Sequence, residues 1–258
     1  MNKLNYKVIK GKVRKKTYIA QEKENRLKVA LSSDEFLFTQ ASIVSSVMLE
    51  EDTHCIHPLA SKFVNSNGDT WSNESLKANY RSFIGAYNYV NHVQVPDKAV
   101  GFLADASLRR IVLSRDEKVF IYYSDILVAT HRDHLNLIKK ILSDKIQYMS
   151  MGCDAVLSIC SKCGNISRED FDVCECILGS KGKYYIDHYG RRRVVAEILG
   201  NGEEGTVQFI ESSWLTETPA FGGAVKRNIL HIPGGYNVEI SIPQQFMDKD
   251  AIKKYVNC

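Results

Sequence analysis

Ser150 and His92 are the residues of this chain whose types and surroundings could carry nucleophilic chemistry. Ser150 lies in the segment 148–152, which ends in a glycine, and His92 precedes an apolar run. A serine hydroxyl is a weak nucleophile unless a neighbouring base takes its proton, and histidine is the side chain that titrates near neutral pH. Glu211, on a later strand-like run, could orient the imidazole. Our interpretation of these three residues is a serine protease with the chain order His, Ser, Glu, in which Ser150 attacks and His92 is the general base.

Other residues compete for these roles. Cys153 could replace Ser150 as nucleophile, but an offset of three along a strand directs the two side chains to opposite faces. Backbone N–H groups beside a turn could form the oxyanion hole. Further candidates for that hole are Arg168 and the arginines at 191–193. Glu211 is preferred as the orienting acid over Asp105, Glu175, Asp187 and His188.

Four of the seven cysteines form a pattern typical of a metal site. They are Cys160 and Cys163, followed by Gly164, and then Cys174 and Cys176. Four thiolates at this spacing can hold zinc in a tetrahedron, and a closed set of four leaves no position open for catalysis. We therefore expect a structural zinc site in an inserted segment, 160–188, in which His188 could replace one ligand. The tight motif at 54–57, His-Cys-Ile-His, is a poorer metal site, and an odd number of cysteines does not favour a disulfide framework.

Strand patterns dominate the chain and position these residues. The segments at 36–49, 100–106, 119–129, 146–153, 184–186, 194–199 and 205–214 read as strands. The strand at 146–153 carries Ser150, and the strand at 205–214 carries Glu211. Mostly β structure with helices between the strands predicts an α+β protein, built as an antiparallel barrel or sandwich with helical insertions.

Two helices are predicted between the strands. Ser72 fits the N-cap of an amphipathic helix over 73–85, with Glu74 in its first turn. Thr130 could cap a second helix, with Asp133 at the third position after it. The buried stripe of that second helix would be Leu135, Ile138, Ile141 and Leu142.

The composition is that of an ordinary globular chain. It has 258 residues, 44% of them hydrophobic and 25% charged, and a net charge of +4. No apolar run approaches the roughly 18 residues of a membrane helix, and the start of the chain lacks the apolar stretch of a secretory signal. We expect a basic N-terminal arm at 1–28, a catalytic domain at 29–228 that contains the insertion, and a C-terminal tail at 229–258.

Five segments in this order and spacing resemble a known family. They are Asn91-His92, the strand at 119–129, a helix at 133–143, the run Met149-Ser150-Met151-Gly152, and the segment from Ile210 through Pro219-Ala220. Together they resemble the prohead (head-maturation) proteases of tailed bacteriophages, of which herpesvirus assemblin is a distant relative. The resemblance covers roughly residues 36–228. The chain departs from the family pattern between Ser150 and Glu211, where the gap is about 30 residues longer and holds the cysteines.

This resemblance implies a closed antiparallel β-barrel flanked by helices. It also implies a serine endopeptidase with Ser150, His92 and Glu211 as its catalytic residues. The expected substrates are scaffold and major capsid proteins, cleaved inside the immature prohead in the host cytoplasm. We expect no membrane partner, and the mixed charges of 160–188 disfavour a nucleic-acid partner; self-association is left open. The alternative is a non-catalytic, zinc-containing capsid or scaffold component, or a nucleic-acid-binding component.

Overall fold

The longest strand-like segments of the sequence form strands of a closed barrel. The computed structural model describes residues 27–50, 53–116, 118–232 and 236–240. Most of the predicted arm at 1–28, and the end of the predicted tail, lie outside these residues.

Short helices alternate with strands of 2 to 14 residues. The strands are β1 (Leu27–Leu31), β2 (Phe36–Ser45), β3 (Asp69–Trp71), β4 (Tyr87–Val90), β5 (Gly101–Ser114), β6 (Val119–His131), β7 (Tyr148–Ala155), β8 (Ser158–Cys160), β9 (Ile166–Ser167), β10 (Tyr184–Ile186), β11 (Arg192–Val194), β12 (Glu197–Leu199), β13 (Val207–Leu215), β14 (Val225–Leu230) and β15 (Tyr236–Ile240). The α-helices are α1 (Asn73–Asn79), α2 (Leu135–Leu142) and α3 (Glu175–Ser180).

Seven strands close the barrel in the order β13-β4-β5-β6-β2-β14-β7. The prediction of an α+β protein with a closed barrel is confirmed. The barrel is mixed rather than purely antiparallel, because β4 and β13 run parallel. A parallel pair needs a long connection, which the chain between these two strands provides.

The barrel interior is filled by large apolar side chains. Trp214 is fully buried, and the rings of Phe83 and Phe209 stack with their centroids 4.1 Å apart. Met149 and Leu76 belong to the same core cluster. Burial of such side chains contributes about 1.5–3 kcal/mol each, so this core fixes which face of each strand points inward.

Of the two predicted helices, the first is confirmed at its start. Ser72 caps α1 by accepting a hydrogen bond from the Ser75 N–H at 2.9 Å. The helix ends at Asn79, earlier than predicted, and a 3₁₀ turn over Tyr80–Phe83 follows it.

The predicted N-cap of the second helix is wrong. Thr130 is still part of β6, which pairs with β2 as far as His131, and its hydroxyl accepts a hydrogen bond from the Trp214 indole. Sheet pairing therefore outweighs the local capping signal, and α2 begins only at Leu135. Ile138 and Ile141 are buried as predicted, but the remaining two leucines of the stripe are exposed.

Smaller sheets lie outside the barrel. β3-β12-β8-β9 form a four-stranded sheet, and β10 pairs with β11 as a hairpin. β1 pairs with β15, and β14 crosses the expected start of the tail at 229 as a barrel strand. None of the helices in the described part of the chain is long and apolar enough to cross a membrane.

Candidate active site and metal centre

The register of β7 against β13 brings Ser150 and Glu211 to the same face of the barrel. Ser150 lies opposite Ser213, and Gly152 lies opposite Glu211. The alternating residues Met149, Met151 and Cys153 belong to or pack against the interior core. Ser150 and Glu211 therefore lie on the outer face.

A β-bulge in β13 makes this arrangement compatible with the core. Phe209 pairs with Cys153, whereas Glu211 pairs with Gly152, so the register shifts by one residue between them. In a regular strand Phe209 and Glu211 would share a face. Because of the extra residue, Phe209 packs inside the barrel while Glu211 lies on the outer face.

His92 comes from the turn that follows β4, the other neighbour of β13. Asn91 and His92 both have left-handed backbones, with φ of 51° and 57°. The Asn91 N–H donates to the Trp214 carbonyl at 2.9 Å, and the Asn91 side chain exchanges hydrogen bonds with Thr216. A left-handed backbone is uncommon outside glycine, so these contacts to β13 and to Thr216 just after it maintain a turn that would otherwise be unfavourable.

The central contact of the site joins His92 to Glu211. The imidazole Nδ1 lies 2.8 Å from Glu211 Oε1. The Glu211 side chain is 1% exposed and the His92 side chain 32% exposed. When the ring is neutral, the carboxylate favours the tautomer with the proton on Nδ1, which leaves Nε2 as a proton acceptor.

The second oxygen of Glu211 is bound by a residue that the sequence analysis missed. The Ser213 hydroxyl donates to Glu211 Oε2 at 2.8 Å and accepts from the His92 backbone N–H at 3.1 Å. Its spacing of two residues from Glu211 on a strand was the signal that could have identified it.

Ser150 is half-buried beside this pair. Among the residues that the structure describes, none forms a hydrogen bond with its hydroxyl, so the nucleophile–base contact is not made in this structure. The glycine two residues later is a close-packed position: a Cβ on Gly152 would lie 2.9 Å from Glu211 Oε1 and 3.1 Å from the Gln94 amide nitrogen.

The alternative nucleophile faces the other way, as predicted. Cys153 packs against the barrel core, and burial raises the pKa of its thiol far above the usual range. A thiol held in its neutral form is a poor nucleophile.

Asp187 belongs to an ion cluster of its own, bound by Arg191 and Arg193 at 3.0 Å each. Burial acts to raise the pKa of Asp187, but hydrogen bonds from the Arg191 backbone and the Arg193 guanidinium outweigh it and hold that pKa below its usual range. Both arginines also pair with Glu50, and Arg193 is 1% exposed. Asp187, a candidate for the orienting acid, is therefore engaged in structural contacts. The same holds for Arg191 and Arg193, two of the candidates for the oxyanion hole.

The other candidates occupy different elements. Asp105 lies in β5 and accepts a hydrogen bond from the Ala106 N–H. Glu175 begins α3, and the His188 ring packs on Tyr189 at 3.8 Å. The backbone N–H of Arg168 donates to Asp172.

Tyr89 is a further residue beside the site that the sequence did not single out. It lies opposite Ser213 across the parallel pair of β4 and β13 and is 3% exposed. Burial, reinforced by the negative charges of Tyr87 and Glu211, raises the pKa of Tyr89 to about 12.

The four predicted metal ligands come together outside the barrel. The sulfur atoms of Cys160, Cys163, Cys174 and Cys176 all lie within 4.8 Å of one another, and those of Cys163 and Cys174 are 3.6 Å apart. A tetrahedral zinc with bonds of about 2.3 Å would give sulfur–sulfur distances of roughly 3.8 Å. The cluster can hold a metal ion. Neither the 54–57 motif nor His188 is part of a metal-binding group among the described residues.

Local structure explains how the cysteines converge. After β8, the Gly164 N–H donates to the Cys160 carbonyl, and Gly164 adopts a left-handed φ of 71° that suits the tight turn. Cys174 and Cys176 lie at the start of α3. Cys160 belongs to a small apolar cluster with Ile177 and Val195, and Cys174 and Cys176 pack against that cluster.

Comparison of the chain with protein-family models, with curated proteins and with solved structures gives no match.

Proposed function

We propose that this protein is a serine endopeptidase in which Ser150 is the nucleophile, His92 the general base and Glu211 the acid that orients the imidazole. The observation that carries the proposal is the 2.8 Å contact between His92 Nδ1 and the buried Glu211 carboxylate, on the barrel face that also carries Ser150. A histidine held in this way has its Nδ1 proton directed at the carboxylate and Nε2 as its proton acceptor, which is what the activation of a serine requires.

The reaction follows from these roles. His92 Nε2 takes the hydroxyl proton of Ser150 as Oγ bonds to the scissile carbonyl carbon, and Glu211 stabilises the resulting imidazolium. The tetrahedral intermediate collapses when Nε2 gives that proton to the leaving amine, which departs. Water then attacks the acyl-enzyme by the same route and regenerates Ser150.

The strand that carries Ser150 also offers a place for an extended peptide. One edge of β7 pairs with β13, while β14 pairs with the other edge only at Tyr148. The Met149 N–H donates to the Ala224 carbonyl on that second edge. Beyond Met149, no described strand pairs with it. Backbone groups left open on a strand edge bind extended peptides as an added strand, so we infer a polypeptide substrate.

The resemblance to prohead proteases supports a narrower assignment. The proposed substrates are scaffold and major capsid proteins, cleaved within the immature phage head. The cysteine cluster in this assignment holds a structural zinc, because four thiolates complete a tetrahedral site and leave no position for water or substrate. His92, Ser150 and Glu211 then carry the chemistry without the metal.

The test uses the purified full chain with a fluorophosphonate probe and with cognate capsid and scaffold proteins on a gel. Ser150→Ala should abolish labelling and cleavage and leave the fold intact, because it removes the attacking oxygen and little packing. The matched control is Ser107→Ala, which removes an exposed hydroxyl from the barrel strand β5. His92→Ala should lose about as much rate as Ser150→Ala, because the members of a triad act as a unit.

Labelling of wild-type protein at Ser150, with none in the Ser150→Ala variant, would support the assignment. Cleavage by Ser150→Ala at the wild-type rate would overturn the assignment of Ser150 as nucleophile. Absence of both labelling and cleavage in wild-type protein would favour the non-catalytic capsid or scaffold component.

A further inference from the structure

Ser213 occupies a position between two other members of the site. Its hydroxyl is fully buried, donates to Glu211 Oε2 and accepts from the His92 backbone N–H. A hydroxyl has one donor hydrogen, so the donor of Ser213 is fully committed to the carboxylate.

Each of these two contacts restricts a motion that would change the orientation of the His92 imidazole. The terminal torsion of a glutamate is broad, and a partner on Oε2 narrows it so that Oε1 stays directed at Nδ1. The left-handed backbone of His92 needs support from surrounding contacts, and Ser213 supplies an acceptor for its N–H. The Ser213 side chain therefore restricts the imidazole in two ways, through the backbone of His92 and through the Glu211 carboxylate that binds the ring.

The adjacent residue shows that a buried serine of this strand need not have such a role. Ser212 is also fully buried, but its hydroxyl accepts a hydrogen bond from the Asn88 amide at 2.8 Å, on the opposite, interior face of β13. Ser212 and Ser213 thus have the same side chain, strand and burial, and they differ in whether they contact the candidate site.

We propose that Ser213 is a positioning residue of this site, whose hydroxyl couples the Glu211 carboxylate to the His92 backbone and so holds the imidazole in the orientation of a general base. This inference rests on the proposed function and extends it to a fourth residue. Loss of the hydroxyl removes the donor to Glu211 Oε2 and the acceptor of the His92 N–H, and so lets the imidazole and carboxylate move relative to each other.

The test compares wild-type full chain with Ser213→Ala and Ser213→Cys, with Ser212→Ala as the matched control. The first measurement is the rate of inactivation by a fluorophosphonate. The second is the low-field proton resonance of the imidazole Nδ1–H bound to a carboxylate, recorded on histidine-labelled protein and assigned by its loss in His92→Ala. A displacement of catalytic groups by about 1 Å costs on the order of 100-fold in rate, so we expect Ser213→Ala to lose about 10- to 100-fold.

Loss of both the inactivation rate and the resonance in Ser213→Ala, with both kept in Ser212→Ala, supports the proposal. Retention of either in Ser213→Ala overturns it, as does absence of the resonance from wild-type protein. If wild-type protein is not labelled, the proposed function fails, while the resonance still decides whether Ser213 positions His92. If Ser213→Ala does not fold, the near-isosteric Ser213→Cys, which keeps the packing but has a weak donor, decides by the same two measurements.

Discussion

At the scale of single residues, the extra residue in β13 determines which side chains the site contains. Ile210 lies in the bulge between Phe209 and Glu211, where the register against β7 shifts. A sequence pattern with period two would place Phe209 and Glu211 on one face, and so could not show that Glu211 lies on the outer face with Ser150. The roles of His92, Ser150 and Glu211 could be suggested from residue types and order, whereas the bulge and Ser213 required the structure.

Glu211→Gln should reduce the inactivation rate by about 10²- to 10⁴-fold and leave a measurable remainder. A glutamine amide can donate to Nδ1 and favour the wrong tautomer, and an orienting acid affects the rate less than the nucleophile does. Fluorophosphonate inactivation measures the effect, and the comparison variants are Asp105→Asn and His188→Ala. If one of these abolishes activity while Glu211→Gln does not, the orienting role belongs to that residue.

Gly152→Ala should lower the inactivation rate about 10-fold or more in a protein that still folds. The added Cβ would lie 2.9 Å from Glu211 Oε1 and 3.2 Å from its Cγ, so the Glu211 side chain or its surroundings must shift and the contact of Oε1 with His92 is disturbed. The matched control is Gly222→Ala, where a Cβ would meet no atom within 4 Å. Equal inactivation rates for the two variants would show that the carboxylate can shift without consequence.

At the scale of elements, strands were easier to predict than their ends and partners. The pattern at 119–129 identified β6, but its extension to His131 depends on pairing with β2 at Phe36. The same pairing places Thr130 inside the sheet, so its local signal as a helix cap was misleading. Pairing partners are distant in the sequence, and local periodicity carries no information about them.

The cysteine cluster should bind one zinc ion per chain, and removal of the ion should loosen the 160–188 segment before the barrel. The cluster rests on a small apolar group that is separate from the barrel core, so its metal contributes folding energy locally. Elemental analysis of protein purified without added metal measures the zinc, and limited proteolysis after chelation locates the loosened segment.

Cys163→Ser should lose the zinc and expose the same segment to proteases, whereas Cys55→Ser, outside the cluster, should keep both wild-type properties. Metal-free protein that protects 160–188 as well as the zinc-bound form does would contradict the structural role of the ion.

At the scale of the whole molecule, the sequence allowed a prediction of the barrel and the cysteine cluster, but not of the distances between candidate residues. His92 lies in the turn after β4, Ser150 in β7 and Glu211 in β13. These three elements are all neighbours only once the barrel closes. The closing order includes a parallel pair and was not available from the strand pattern. The family resemblance suggested which residues act together, and the barrel supplies the contacts between two of them.

The folded protein should lose stability as the pH rises from about 10 to about 12, and Tyr89 should contribute to the loss. Burial, then Tyr87, then Glu211 raise the pKa of Tyr89 to about 12, above the value of about 10 for an exposed tyrosine. Below pH 10 the phenol is protonated in both states and its contribution to stability is fully present. Between pH 10 and 12 the unfolded chain releases the proton while the folded chain keeps it, so unfolding becomes more favourable.

Urea unfolding between pH 8 and 11.5 measures how the free energy of unfolding falls with pH. This slope should be smaller in Tyr89→Phe than in wild-type protein or in the control Tyr184→Phe, where the ring is exposed. Equal slopes in Tyr89→Phe and wild-type protein would show that another group governs the alkaline limit.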